Sequence, residues 1–185
     1  MLHSRNLEQA LQRAAIYFKR LQADGETFEL ESVGNQVYCR FVFAADPGRA
    51  LASPENFSME HLHWLPGAAG QVLSMAMWHR VCSWFIGAFI ELESVQMRQE
   101  KRPGKDYSEV FGKPLQFGAG QDSFAFHRRY LAFPIVQSEP GLAAMLDTYP
   151  AELFRIDPWE GVIAGVTLLA TLTIGALEGL GLGGA

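Results

Sequence analysis

The chain has 185 residues, of which 49% are hydrophobic and 12% aromatic, so it is long and apolar enough for one globular domain and is not a disordered polymer. A formal charge of −5 with a pI near 5.5 argues against a standing nucleic-acid surface, because counterion release needs clustered Lys and Arg. The short basic runs, Arg98-Lys101-Arg102-Lys105 and Arg128-Arg129, read as solvated loop charge. The opening residues lack an apolar stretch of signal-peptide length, so a cytoplasmic location is expected.

Leu7, Ala10, Leu11, Ala14, Phe18 and Leu21 recur at helical spacing with Glu8, Gln12, Arg13 and Lys19 on the other faces, which predicts an amphipathic helix. Asn6 followed by Gln9 fits a capping box. Phe28 and Leu30, then Val37, Cys39, Phe41 and Phe43, alternate with polar neighbours on either side of Gly34-Asn35, which suits a type I′ or II′ turn. A hairpin is expected there. Pro47, Gly48 and Pro54 mark a loop, and Pro66-Gly67 separates a short helix from a longer one over Val72 to Ile86. Few charges interrupt Met75, Met77, Trp78, Val81, Cys82, Trp84 and Phe85, so this helix is expected to be buried around most of its circumference. Phe89 to Met97 reads as a strand.

Tyr107 to Pro134 carries a whole supersecondary unit: a short helix to Phe111 stopped by Gly112 and Pro114, a strand at Leu115 to Phe117, a loop through Gly118 and Gly120, a strand at Phe124 to Phe126, and a helical turn from His127 to Leu131. Pro140 to Phe154 closes the pattern as an amphipathic helix with Leu142, Met145, Leu146, Tyr149 and Leu153 at helical spacing. Hairpins not interleaved singly with helices give an α+β class: one antiparallel sheet of about five strands, built from two hairpins and a single strand and covered by helices.

The F-G-x-P-L-x-F-G core of the Tyr107–Pro134 segment and its following F-x-F-x-x-x-Y-L-x-x-P resemble the N-terminal effector-binding (arabinose-binding-like) domain of AraC-type transcription regulators. Arg5 to Phe18 resembles the opening helix of that domain and Met77 to Gly87 its long central helix, so that residues 4 to 160 follow the family pattern. The resemblance implies a small-molecule effector, dimerisation, and DNA contact through a helix-turn-helix domain. Relatives carry that domain after the position of Trp159, where residues 161–185 form an apolar, Gly-rich tail instead. DNA is therefore expected as a partner only through a domain absent from this chain. A homodimer is expected, with the Pro140–Phe154 helix as one surface suited to a two-fold.

No constellation in the sequence calls for an enzyme, and no cofactor or metal is implied. His61 and His63 lie in a helical context that turns them about 200° apart, unlike a ligand pair on a strand. His79 with Cys82 and Ser83 places a base near a nucleophile, yet a thiol in so apolar a run has its thiolate suppressed. Cys39 and Cys82 have no C-x-x-C spacing and read as buried, reduced thiols. Asp122 is expected to bond turn amides and His127 to start the next helix. Gly118-x-Gly120 lacks the lysine and helix of a phosphate loop.

An aromatic and sulfur-rich layer remains. Its bland reading is helix-on-sheet packing; its functional reading is an effector pocket with adaptable Met and aromatic walls. The candidate pocket residues are Tyr38, Phe41, Met75, Trp78, His79, Cys82, Phe124 and Phe126, with Arg80 and His127 as further polar candidates. The alternative function is a stand-alone interaction protein that keeps the sensor fold, with a membrane tether through the tail as its variant. Gly161 to Leu177 is short and Gly-rich for a spanning helix, so membrane association is not the expectation.

Overall fold

The computed structural model describes residues 2–21, 27–43, 68–101 and 107–147. The expected short helix with His61 and His63, residues 148–154 of the last expected helix and the tail after Trp159 lie outside them. Helix α1 (Leu7–Leu21) is followed by strands β1 (Thr27–Val33) and β2 (Gln36–Val42), helix α2 (Ala68–Ile86), strand β3 (Leu92–Gln96), helix α3 (Ser108–Phe111), strand β4 (Asp122–His127), a 3-10 turn over Arg128–Ala132, and helix α4 (Glu139–Asp147). The class is α+β.

Among the described residues the sheet has four antiparallel strands in the order β1-β2-β4-β3, not the expected five. The missing strand is the one expected at Leu115 to Phe117. Both edges of β4 are occupied, by β2 through Cys39 opposite Phe124 and by β3 through Val95 opposite Phe124, so no edge is left for a local hairpin. Gln116 makes a single parallel bridge to Gln96, with its N–H donating to the Val95 carbonyl at 2.9 Å, and Gly118 then turns the chain away at φ +67°.

The first hairpin forms as its sequence dictates. Val33 pairs with Gln36 across Gly34-Asn35, and Gly34 has φ +59° while Asn35 does not share the positive region, which is the type II′ pattern. The capping box at α1 forms with a one-residue offset: the Gln9 N–H donates to Asn6 Oδ1 at 3.0 Å, but Gln9 Oε1 accepts from the N–H of Arg5 at 2.8 Å, not from that of Asn6.

One face of the sheet presents Phe28, Val37, Cys39, Phe41, Phe124 and Phe126 to α1 and α2. Trp78 of α2 stacks on Phe28 with ring centres 4.9 Å apart and meets Phe18 of α1 edge-on at 5.4 Å, so three elements converge on one indole. The other side of α2, with Leu73, Met77, Trp84 and Phe85, packs against Met145 of α4 and the Ile135 segment, as its low charge content predicts. Burying side chains of this size contributes roughly 1.5–3 kcal/mol each. Helix α2 ends in a Schellman cap: Ala88 N–H donates to Ser83 O and Gly87 N–H to Trp84 O, with Gly87 at φ +63°.

On the opposite face, Tyr38 donates to Gln36 Oε1 at 2.6 Å, Arg40 pairs with Glu31, and Gln96, Gln116, Gln121 and Ser123 share a set of side-chain hydrogen bonds. The N-terminus is fastened to the far end of this unit. Leu7 N–H donates to Phe133 O at 3.0 Å and Asn6 bridges Pro134.

Candidate functional site

Seven of the eight candidate pocket residues share one layer. Phe41 lies 5.6 Å from Phe124 and 6.5 Å from Trp78, Phe124 lies 6.2 Å from Phe126 and 5.9 Å from His79, all between ring centres, and Met75 and Cys82 belong to the same core. Tyr38 does not join them. The period-two alternation that turns Val37, Cys39 and Phe41 toward α2 turns Tyr38 to the other face.

The polar members of the layer are tied to backbone. His79 is fully buried, and its Nε2–H donates to the Ile90 carbonyl at 2.7 Å. Ser83 donates its hydroxyl proton to the His79 carbonyl and accepts from the Ile90 N–H at 3.1 Å, so it faces main chain and not the imidazole. Arg80 donates to the Val110 carbonyl at 3.2 Å and lies 5.0 Å from the Phe89 ring centre. Cys39 and Cys82 are free, buried thiols. Burial pushes Cys82 up to about 12 and Cys39 well above the ordinary thiol range, with Cys82 adding to the second effect. Such thiols are poor nucleophiles.

A groove of about 300 Å³ opens at one end of the sheet, lined by Glu91, Leu92, Glu93, Lys113, His127, Arg129 and Tyr130. It is built by a β-bulge. Leu92 pairs with Phe126 and Ser94 with Ala125, which leaves Glu93 as the extra residue. The bulge lets Leu92 and Val95 both point into the core at a spacing of three, and Lys113 Nζ donates to the carbonyl of the extra residue, Glu93, at 3.1 Å. Leu92 and Tyr130 are buried and form the floor.

Tyr130 organises the rim. Its oxygen accepts from the Glu91 N–H at 3.3 Å and from Arg129 Nη2 at 3.0 Å, while the Arg129 guanidinium lies 4.9 Å from the Tyr130 ring centre and 3.6 Å from Glu91 Oε2. His127 caps the 3-10 turn by accepting the Arg129 N–H at Nδ1, which leaves Nε2–H as its donor. Two carboxylates, two cations, an imidazole N–H and a phenol thus surround one opening with an apolar floor. Of these residues only His127 is a candidate on sequence grounds. The others come from three separate segments. Tyr130 and Lys113 fall within the F-x-F-x-x-x-Y-L-x-x-P and F-G-x-P-L-x-F-G runs, but neither run marks them as site residues, and the one available charge signal is Glu91 and Glu93 near the start of a strand and the Arg128-Arg129 pair.

The family model for the arabinose-binding domain of AraC transcription regulators, N-terminal, matches residues 1–135, which span α1 through β4 and the 3-10 turn. The chain belongs to this family. Membership gives the AraC-type domain its general role, ligand binding in transcription regulation, and the family is not one of enzymes. No functionally curated protein matches the chain. Among the described residues no cluster of three or more His, Cys, Asp or Glu could hold a metal, and no helix is long and apolar enough to cross a membrane.

Proposed function

We propose that this chain is the effector-sensing input domain of an AraC-type regulator, that it acts as a homodimer, and that DNA is contacted by a separate domain. The observation that carries the proposal is the family match over residues 1–135, joined to an open polar groove built on those same residues. Of the two candidate seats for an effector among the described residues, the aromatic layer is filled by its own rings, whereas the groove is open to solvent and has an apolar floor with convergent polar groups, the usual character of a ligand site. The acidic net charge supports DNA contact outside these residues.

The test is a thermal-shift screen of the chain against amino acids, amines, fatty acids, aromatic acids and sugars, paired with sedimentation analysis of its oligomeric state. A concentration-dependent rise in melting temperature with one chemical class is expected, because a ligand that binds only the folded state stabilises it by mass action. Silence across all classes would favour the stand-alone interaction protein, and a monomer at all concentrations would remove the dimer.

A further inference from the structure

The groove has a feature that a site for sugars or fatty acids would not need: both signs of charge in one small opening. Glu91 and Glu93 head β3 on one side, and Lys113 and Arg129 come from the segment after α3 and from the 3-10 turn. None of these four is buried: Glu91 and Arg129 are exposed and Glu93 and Lys113 partly so, which leaves their side chains room to re-pair. Arg129 is nevertheless held in place, by the Tyr130 ring below it and the hydrogen bond to the Tyr130 oxygen. The fork of a guanidinium has five N–H donors, and one bond to Tyr130 leaves others for a bidentate carboxylate. The Tyr130 oxygen accepts two hydrogen bonds and its own proton remains to be donated, as does His127 Nε2–H.

We infer that the groove binds a zwitterion of α-amino-acid size, with the ligand carboxylate taken by Arg129, the Tyr130 hydroxyl and Lys113, and the ammonium taken by Glu91 and Glu93. The inference rests on the effector-sensing reading and names its ligand class. A volume of about 300 Å³ is enough for a single amino acid. Leu92 and the Tyr130 ring form an apolar floor for a side chain. A zwitterion satisfies both halves of the rim at once; an anion or a cation alone leaves one pair of rim charges facing a like charge or nothing, which is how a polar site rejects an incomplete ligand.

The experiment is calorimetric titration of the full chain with the twenty L-α-amino acids, followed for the tightest of them by its amide, which lacks the carboxylate, and its des-amino acid, which lacks the ammonium. Binding of one or a few amino acids is expected, with each analogue weaker by about tenfold or more, the scale of losing one charge-assisted contact. Arg129→Gln and Glu91→Gln, both at exposed rim positions whose change leaves the core intact, are expected to weaken the amino acid by a similar factor while the melting temperature of the unliganded chain stays unchanged. Equal binding by the analogues, or an amino acid whose affinity is indifferent to both substitutions, overturns the zwitterion site. If a sugar or fatty acid stabilises the chain instead, the groove inference falls and the effector-sensing reading stands; if no small molecule of any class binds up to about 10 mM, both fall.

Discussion

The Nε2–H of His79, on a helix turn otherwise facing Phe124 and Phe89, donates to the carbonyl oxygen of Ile90 at 2.7 Å, beyond the end of that helix. Together with Ser83, which receives the Ile90 N–H, it fastens the chain leaving α2 to the body of the helix just before β3 begins. His79→Leu keeps the volume but leaves the Ile90 carbonyl buried without this donor, so a loss of about 1–3 kcal/mol in denaturant-unfolding stability is expected. A loss near zero would mean that the imidazole packs and does not hold.

Gly87 combines two constraints. Its φ of +63° strains any L side chain, and a Cβ there would stand 2.9 Å from Cγ2 of Val136, whose N–H donates to Phe85 O at 2.9 Å. Gly87→Ala is expected to destabilise by about 1–3 kcal/mol, with part of that recovered by Val136→Ala in the same chain. Urea unfolding of the two single variants and the double variant measures the coupling.

Asp122 is buried beside Phe41 and Phe124. Burial pushes its carboxyl upward, an effect partly offset by the Arg98 N–H it accepts at 2.9 Å and by the Arg98 charge. A raised carboxyl favours the protonated fold, so its contribution is present below the ordinary Asp range near 3.9 and is lost as pH rises through the folded value. At neutral pH the ionised Asp122 therefore opposes folding. Asp122→Asn, whose Oδ1 can still accept from Arg98, is expected to be neutral or stabilising at pH 7, with the advantage shrinking on acidification. Melting temperatures of both chains from pH 4 to 7 check the sign.

The two core thiols act at the other end of the pH scale. Unfolded cysteines ionise above about 8.5, whereas Cys82 in the fold stays protonated to about 12 and Cys39 is raised as well. In that window the unfolded chain binds fewer protons than the folded one, so stability falls as pH rises. Cys82→Ala is expected to flatten this slope relative to the parent in urea titrations between pH 7.5 and about pH 10. Ellman's reagent is expected to find both thiols only after unfolding.

The parts of the fold that the sequence makes legible are those whose determinants are local. Gly34-Asn35 between two alternating runs specifies β1 and β2, Pro66-Gly67 marks the start of α2, and Gly112 stops α3 in the left-handed conformation that its position requires. The expected second hairpin misleads because turn composition around Gly118 and Gly120 says nothing about which strand edges are already taken. Phe124 and Phe126 pair with Cys39 and Val37, distant in sequence, and the tertiary pairing overrides the local signal.

The candidate site divides the same way. Apolar content identifies Phe41, Trp78 and Phe124 as a layer, but the face of Tyr38 depends on register, and the groove depends on a bulge at Glu93 that no local pattern announces. Arg129 reads in sequence as one more solvated charge and becomes a rim residue because the 3-10 turn lays it over Tyr130.

The hydrogen bond from Leu7 to Phe133 and the bridge from Asn6 to Pro134 join the two ends of the family segment. Phe133 and Pro134 directly follow the turn that carries Arg129 and Tyr130, so the strip of chain that borders the groove is also the buckle on which α1 is hung. Trimming the first seven residues is therefore not a neutral edit of a loose end: it unclasps the wall of the groove from behind, and ligand affinity and α1 docking should be lost in the same truncation.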